Sequence, residues 1–102
     1  MLPGIYIMTN LSHSTLYVGM STVLPDRIQM HIDGEGGRFT TKYRCTKLVH
    51  YEICESADVA YIREKQIKGW TRLKKISLIE QKNPGWTDRF QNLLIDVDSL
   101  YR

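Results

Sequence analysis

Apolar and β-branched residues fill positions 4–9 and 15–20, and the polar run Thr9-Asn10-Leu11-Ser12-His13-Ser14 separates them. Two short strands joined by a turn-forming loop is the expected reading, an antiparallel hairpin. Alternation along the first strand puts Tyr6 and Met8 on one face and Ile5 and Ile7 on the other. In the second, Tyr17 and Gly19 share a face opposite Leu16 and Val18. If paired positions sum to an odd number, as 6 and 17 do, both tyrosines lie on the same face. A slip of one residue would separate them.

Ser21 or Thr22 is the expected cap of a first helix, with Pro25 and Asp26 in its first turn and its end near Ile32. Arg27 and His31 stand four residues apart and share a face of that helix. Gly34-Glu35-Gly36-Gly37 ends it as a flexible loop at the edge of a cleft, and Phe39 to Tyr43 is a short helical turn. Lys47 to Ile53 reads as a third strand with Val49, Tyr51 and Ile53 alternating toward the core. Ser56-Ala57-Asp58 caps a helix running to about Gly69, with Val59, Ile62, Trp70 and Leu73 as its apolar stripe and Glu64 away from it. A further helix covers Thr71 to about Gln81 and is stopped by Asn83-Pro84-Gly85. Leu93, Leu94, Ile95 and Val97 in the tail dock on the core as a turn or a strand. The order β-β-α-α-β-α-α predicts an α+β fold, a small three-stranded antiparallel or mixed sheet flanked by helices.

At 102 residues the chain suits one domain, 1–102, and not two. No apolar run approaches the roughly 20 residues of a membrane span, and Met1-Leu2-Pro3-Gly4 does not read as a signal peptide. Cys45 and Cys54 lack metal-ligand spacing, so the expectation is two free, half-buried thiols in a reducing cytoplasm. Gly36 and Gly37 are not followed by the Lys-Ser/Thr of a phosphate-binding loop. Net charge is +3, but it is uneven. Between Arg63 and Lys75, six basic residues face one acid, Glu64, for +5; the remainder carries −2. Such a local basic face suits a polyanionic partner, or is simply a solvated helix face.

The two tyrosines sit in Gly4-Ile5-Tyr6 and Tyr17-Val18-Gly19, and with them come Arg27-Ile28-Gln29-Met30-His31, Glu64 within Ala60–Gln66, and Asn83 before Pro84-Gly85-Trp86. In this order the elements resemble the GIY-YIG nuclease superfamily, over roughly residues 3 to 90. Phe39-Thr40-Thr41-Lys42-Tyr43, Val49-His50-Tyr51-Glu52 and Glu64–Trp70 are similar to its stand-alone bacterial subgroup, related to the N-terminal domain of the excinuclease C subunit.

The resemblance implies the GIY-YIG fold and metal-dependent hydrolysis of phosphodiester bonds in nucleic acid, DNA in preference to RNA. It implies catalytic roles for Tyr6, Tyr17, Arg27, His31 and Glu64. Glu64 would be the ligand of one divalent ion, Mg²⁺ or Mn²⁺, since one carboxylate suits a one-metal site. Arg27 offers a planar fork of donors to a phosphate oxygen. Tyr6 is expected to activate or orient the water, with Tyr17 and His31 supporting it. The phenols would need a lowered pKa for that role, whereas a histidine ordinarily titrates near 6.5. Gly19, Lys65, Lys68, Arg72, Lys74, Lys75 and Asn83 are the expected nucleic-acid contacts. A binding module of the same fold with weak or no catalysis, targeted by a protein partner or acting as a homodimer, is the alternative. Taken singly, each feature also has an ordinary structural reading. A strand tyrosine packs, an Arg-x-x-x-His faces solvent, and Glu64 followed by Lys68 is an i,i+4 ion pair. Trp70, Trp86, His13 and His50 read as structural.

Overall fold

The hairpin forms between β1 (Gly4–Thr9) and β2 (Leu16–Ser21) in a computed structural model that describes residues 1–101. Asn10 closes its loop: the side-chain Oδ1 accepts from the Thr15 N–H at 3.1 Å, and the backbone carbonyl accepts from His13 at 3.0 Å. Register pairs Tyr6 with Gly19 and Met8 with Tyr17, odd sums throughout, so both tyrosines occupy one face. The third strand, β3 (Lys47–Ile53), lies on the other side of β1, giving the order β2-β1-β3, antiparallel at both pairings.

Each face of the sheet has its own core. Tyr6, Met8 and Leu48 pack with Leu24 and Ile28 of α1 (Leu24–Ile32), Cys45, and Leu93 of α5 (Phe90–Leu100). Ile5, Ile7, Val18 and Val49 pack with Ala60 and Ile67 of α3 (Ala57–Lys68), Ile79 of α4 (Arg72–Lys82), and Trp86. The short α2 (Arg38–Lys42) lies between α1 and β3. The result is a small α+β fold of three strands and five helices among the described residues.

Several expectations change. Ser21 does not cap α1. Val23 holds the N-cap position, and the Ser21 hydroxyl accepts from the Val23 N–H at 2.9 Å. Strand β3 does not alternate regularly: Ile7 pairs with His50 but Met8 pairs with Leu48, which leaves Val49 as an extra residue in a bulge. Val49 therefore enters the α3 side while Tyr51 and Ile53 pack with Tyr6 on the other. Ser56 and Thr71 do cap their helices, accepting from the Val59 and Lys74 N–H groups. The expected α3 stripe, however, is turned outward. Val59 and Ile62 are 47% and 68% exposed and Leu73, which falls on α4, is 78% exposed; of the expected stripe only Trp70 packs on the core, and α3 docks through Ala60 and Ile67. The tail is neither turn nor strand but the 11-residue α5. Cys45 is buried rather than half-buried, and both thiols are free. No helix among the described residues is long and apolar enough to cross a membrane.

Candidate active site

Tyr6 is the centre of the site, and its position follows from the residue opposite. Gly19 has no side chain, so the Tyr6 ring lies across it. A Cβ built on Gly19 would come within 2.5 Å of Tyr6 Cζ and Oη and 2.9 Å of Tyr17 Cε2. Gly19 has a packing role: it makes room for both phenols. Their ring centroids are 6.2 Å apart.

From α1, His31 fits against both tyrosines, with centroids 5.2 Å from Tyr6 and 5.5 Å from Tyr17. The Tyr6 hydroxyl and His31 Nε2 are 2.7 Å apart. On its other side, His31 Nδ1 is 3.0 Å from Thr40 Oγ1 of α2. The loop before α2 comes so close that a Cβ on Gly36 would sit 1.9 Å from Nδ1. Gly36 therefore permits close packing on His31 rather than loop motion. The same loop is tied down by Arg27, whose Nη2 donates to the Gly36 carbonyl at 2.5 Å. The positive charge of Arg27 also acts on the Tyr6 phenol and favours its ionised form.

The electrostatics differ from the sequence expectation. Burial, the neighbouring Tyr17 and the Glu64 carboxylate together outweigh Arg27 and push the Tyr6 phenol up to about 12. Burial and the positive charge of Arg27 bring His31 down to about 4. At neutral pH the site therefore holds a protonated phenol against a neutral imidazole. Neither the lowered phenol pKa nor a histidine poised near 6.5 is found.

Glu64 comes from α3, which packs on β1 and β2. Its side chain is 14% exposed and pairs with Lys68 Nζ at 3.4 Å. Next to it, Arg63 turns the other way and grips Glu52 of β3 with Nε and Nη2 at 2.8 and 3.0 Å. His50 Nε2 lies 2.9 Å from the same carboxylate. Arg63 thus leaves the expected basic face. No cluster of three metal-ligating side chains occurs among the described residues. Glu64 is a hard oxygen donor close enough for its charge to act on the Tyr6 phenol, and it suits a hydrated Mg²⁺ or Mn²⁺ that keeps most of its ligands from water and phosphate.

The expected nucleic-acid contacts divide. Lys68 and Lys75 line a cavity of about 330 Å³ with Leu16, Tyr17, Val18 and Phe39, directly beside the second tyrosine. Lys65 is fully exposed, near the Tyr61 ring. Lys74 rests over Trp70 at 4.5 Å, and Arg72 donates to the His13 carbonyl at 2.7 Å. Asn83 does not fit the expectation. It is buried at the end of α4, its Nδ2 donating to the Val49 and Thr87 carbonyls and its Oδ1 accepting from the Thr87 N–H and hydroxyl. Both amide protons are used, and none is left for a phosphate. Thr40 is the member of the site that the sequence did not single out.

A sequence model of the GIY-YIG catalytic domain matches residues 2–77. The chain belongs to the GIY-YIG family. That family is a nuclease superfamily, and this is a small member of it. Among curated relatives, a UPF0213 protein of Syntrophus aciditrophicus is 40% identical over 81 residues, 78% of this chain and 91% of that one. A UPF0213 protein of Haloquadratum walsbyi is 36% identical over 77 residues, 76% of this chain and 85% of that one. The solution NMR structure of a UPF0213 protein from Bacillus halodurans shares the fold, with TM-score 0.56 and 26% identity over 86% of this chain and 93% of that one.

Proposed function

We propose that residues 1–102 act as one nuclease domain of the cytoplasm that hydrolyses phosphodiester bonds in DNA with the help of one divalent ion. The observation that carries this reading is the convergence of Tyr6, Tyr17 and His31, with the charges of Arg27 and Glu64 both acting on the Tyr6 phenol. When bound at Glu64, a divalent ion would neutralise charge on the phosphate and favour ionisation of water.

The chain's own side chains do the rest. Arg27 spends one donor on Gly36, and its remaining donors would hold a phosphate oxygen near the Tyr6 phenol on which its charge acts. Tyr6 works as a neutral hydroxyl. With its proton retained up to about pH 12, its oxygen orients the attacking water as an acceptor instead of removing a proton outright. Tyr17 closes the other side of the nucleophile's position. Lys68 and Lys75 draw in the backbone flanking the scissile phosphate.

The alternative, a module that binds nucleic acid without cutting it, draws on the Glu64–Lys68 ion pair, which an incoming metal ion must displace. A panel of single-stranded, duplex and branched DNA and RNA, each with Mg²⁺, Mn²⁺ or chelator, separates the two. Metal-dependent cleavage of a DNA substrate supports the nuclease. Binding without cleavage across the whole panel supports the module.

A further inference from the structure

The geometry points to Thr40 as a positioning residue that fixes the tautomer of His31, holding the proton on Nδ1 so that Nε2 accepts a hydrogen bond from the Tyr6 hydroxyl. One chain of hydrogen bonds runs from Tyr6 through His31 and Thr40 to Gly37, and its far end is chemically one-directional. The Gly37 carbonyl can only accept, and Thr40 Oγ1 donates to it at 3.4 Å. With that proton committed, Thr40 meets His31 through a lone pair, and the 3.0 Å contact is Nδ1–H donating to Oγ1. A neutral imidazole carries a single N–H, so Nε2 is then bare. The 2.7 Å contact is therefore Tyr6 O–H donating to Nε2.

The surroundings enforce the arrangement. His31 and Thr40 are 1% and 4% exposed, so water does not compete for Nδ1. The Gly36 backbone packs against the same edge of the ring. No buried side-chain nitrogen or oxygen among the described residues lacks a partner. The reverse tautomer would place a proton on Nε2 and turn the Tyr6 hydroxyl outward, into the space that substrate and water must share. With Thr40 in place, the lone pairs of Tyr6 face that space.

The tautomer assignment rests on the hydrogen-bond geometry around an imidazole that burial keeps neutral. Its catalytic consequence rests on the nuclease reading, and the two are separated by measuring each. Imidazole ¹⁵N spectra of the full chain, with His31 assigned by loss of its signals in His31→Asn, report which ring nitrogen is protonated. Wild type is expected to show a protonated Nδ1 and a bare Nε2. The opposite pattern overturns the proposal. In Thr40→Val, which keeps the shape and removes the hydroxyl, the ring is expected to shift toward the Nε2–H form or a mixture. Thr40→Ser is expected to restore the wild-type pattern. An unchanged spectrum in Thr40→Val, or a failure of folded Thr40→Ser to restore it, also overturns the assignment. On a DNA substrate that wild type cuts, kcat of Thr40→Val is expected to fall about tenfold or more, with Thr40→Ser near wild type. A shifted tautomer with unchanged kcat overturns the positioning role. If wild type cuts no substrate, the nuclease reading fails and the spectra still decide the tautomer.

Discussion

Replacing Gly19 with alanine adds one methyl group at the point where the site is tightest. The new Cβ would lie 2.5 Å from the hydroxyl end of Tyr6, and an ordinary contact begins at 3.4 Å, so the ring must move by 0.9 Å. It is a rigid side chain that is 1% exposed, and the same Cβ also meets Tyr17 Cε2 at 2.9 Å, so both rings are pressed. A shift of that size directed away from His31 would stretch the 2.7 Å hydrogen bond to about 3.6 Å, beyond bonding distance. Overpacking costs about 1–3 kcal/mol and an abandoned buried hydrogen bond costs a similar amount. Against this, alanine is ordinarily favoured over glycine in a strand by about 0.5–1 kcal/mol. The net expectation is a loss of about 2 kcal/mol, read in urea unfolding or as a fall in Tm on the order of 10 °C. Because misplacement of a reacting group by about 1 Å can cost a hundredfold, kcat/KM on DNA should fall by about that factor. Strand propensity alone predicts the opposite sign for stability. A Gly19→Ala protein as stable and as active as wild type would refute the placement of Tyr6 across Gly19.

Other expectations follow from the same geometry. His31 sits near 4 when folded and 6.5 when unfolded, so between those values the unfolded chain binds more protons. Stability should therefore drop on the order of 3 kcal/mol as pH falls from 6.5 to 4, and urea titrations of His31→Asn should lack that slope. Burial raises the Glu52 carboxyl, but hydrogen bonds from His50 and Arg63 outweigh it and hold the group at about 2. Its contribution is present above its ordinary value of 4.5 and is lost as pH falls through 2; Glu52→Gln should show no loss in that lower window. Asn83→Ala removes an amide with four bonds and should destabilise the fold by about 2–4 kcal/mol. DNA affinity of that variant, measured by anisotropy at a temperature where it is folded, should match wild type; a matching loss of affinity would return Asn83 to the binding surface.

What the sequence disclosed and what it hid divide along physical lines. Tyr6 and Tyr17 were legible as a pair, because alternation has period two and the hairpin register then has only one useful parity. The bulge at Val49 left no mark in Lys47–Ile53, where every residue suits a strand. The orientation of α3 was misleading for a different reason. Its large apolar residues face solvent, while it docks through small Ala60 and single Ile67 and is clamped by the Arg63–Glu52 pair. Helix α5 was legible and overlooked: Phe90, Leu93, Leu94 and Val97 stand at i, i+3, i+4 and i+7, but the adjacent Leu93-Leu94-Ile95 also suits a strand. Thr40 could not be told from Thr41 by residue type; only folding shows which hydroxyl reaches His31. The pKa values of Tyr6 and His31 were unreadable in principle, since burial sets both.

The account stands or falls on whether Glu64 and the tyrosine pair form one metal-dependent centre. The direct test is cleavage of an end-labelled DNA substrate by wild type and Glu64→Ala, purified identically, in Mg²⁺ and in chelator. The account predicts cutting by wild type in Mg²⁺ only, and a loss of a hundredfold or more in Glu64→Ala. Equal cutting by both proteins, or cutting by wild type that persists in chelator, would contradict it.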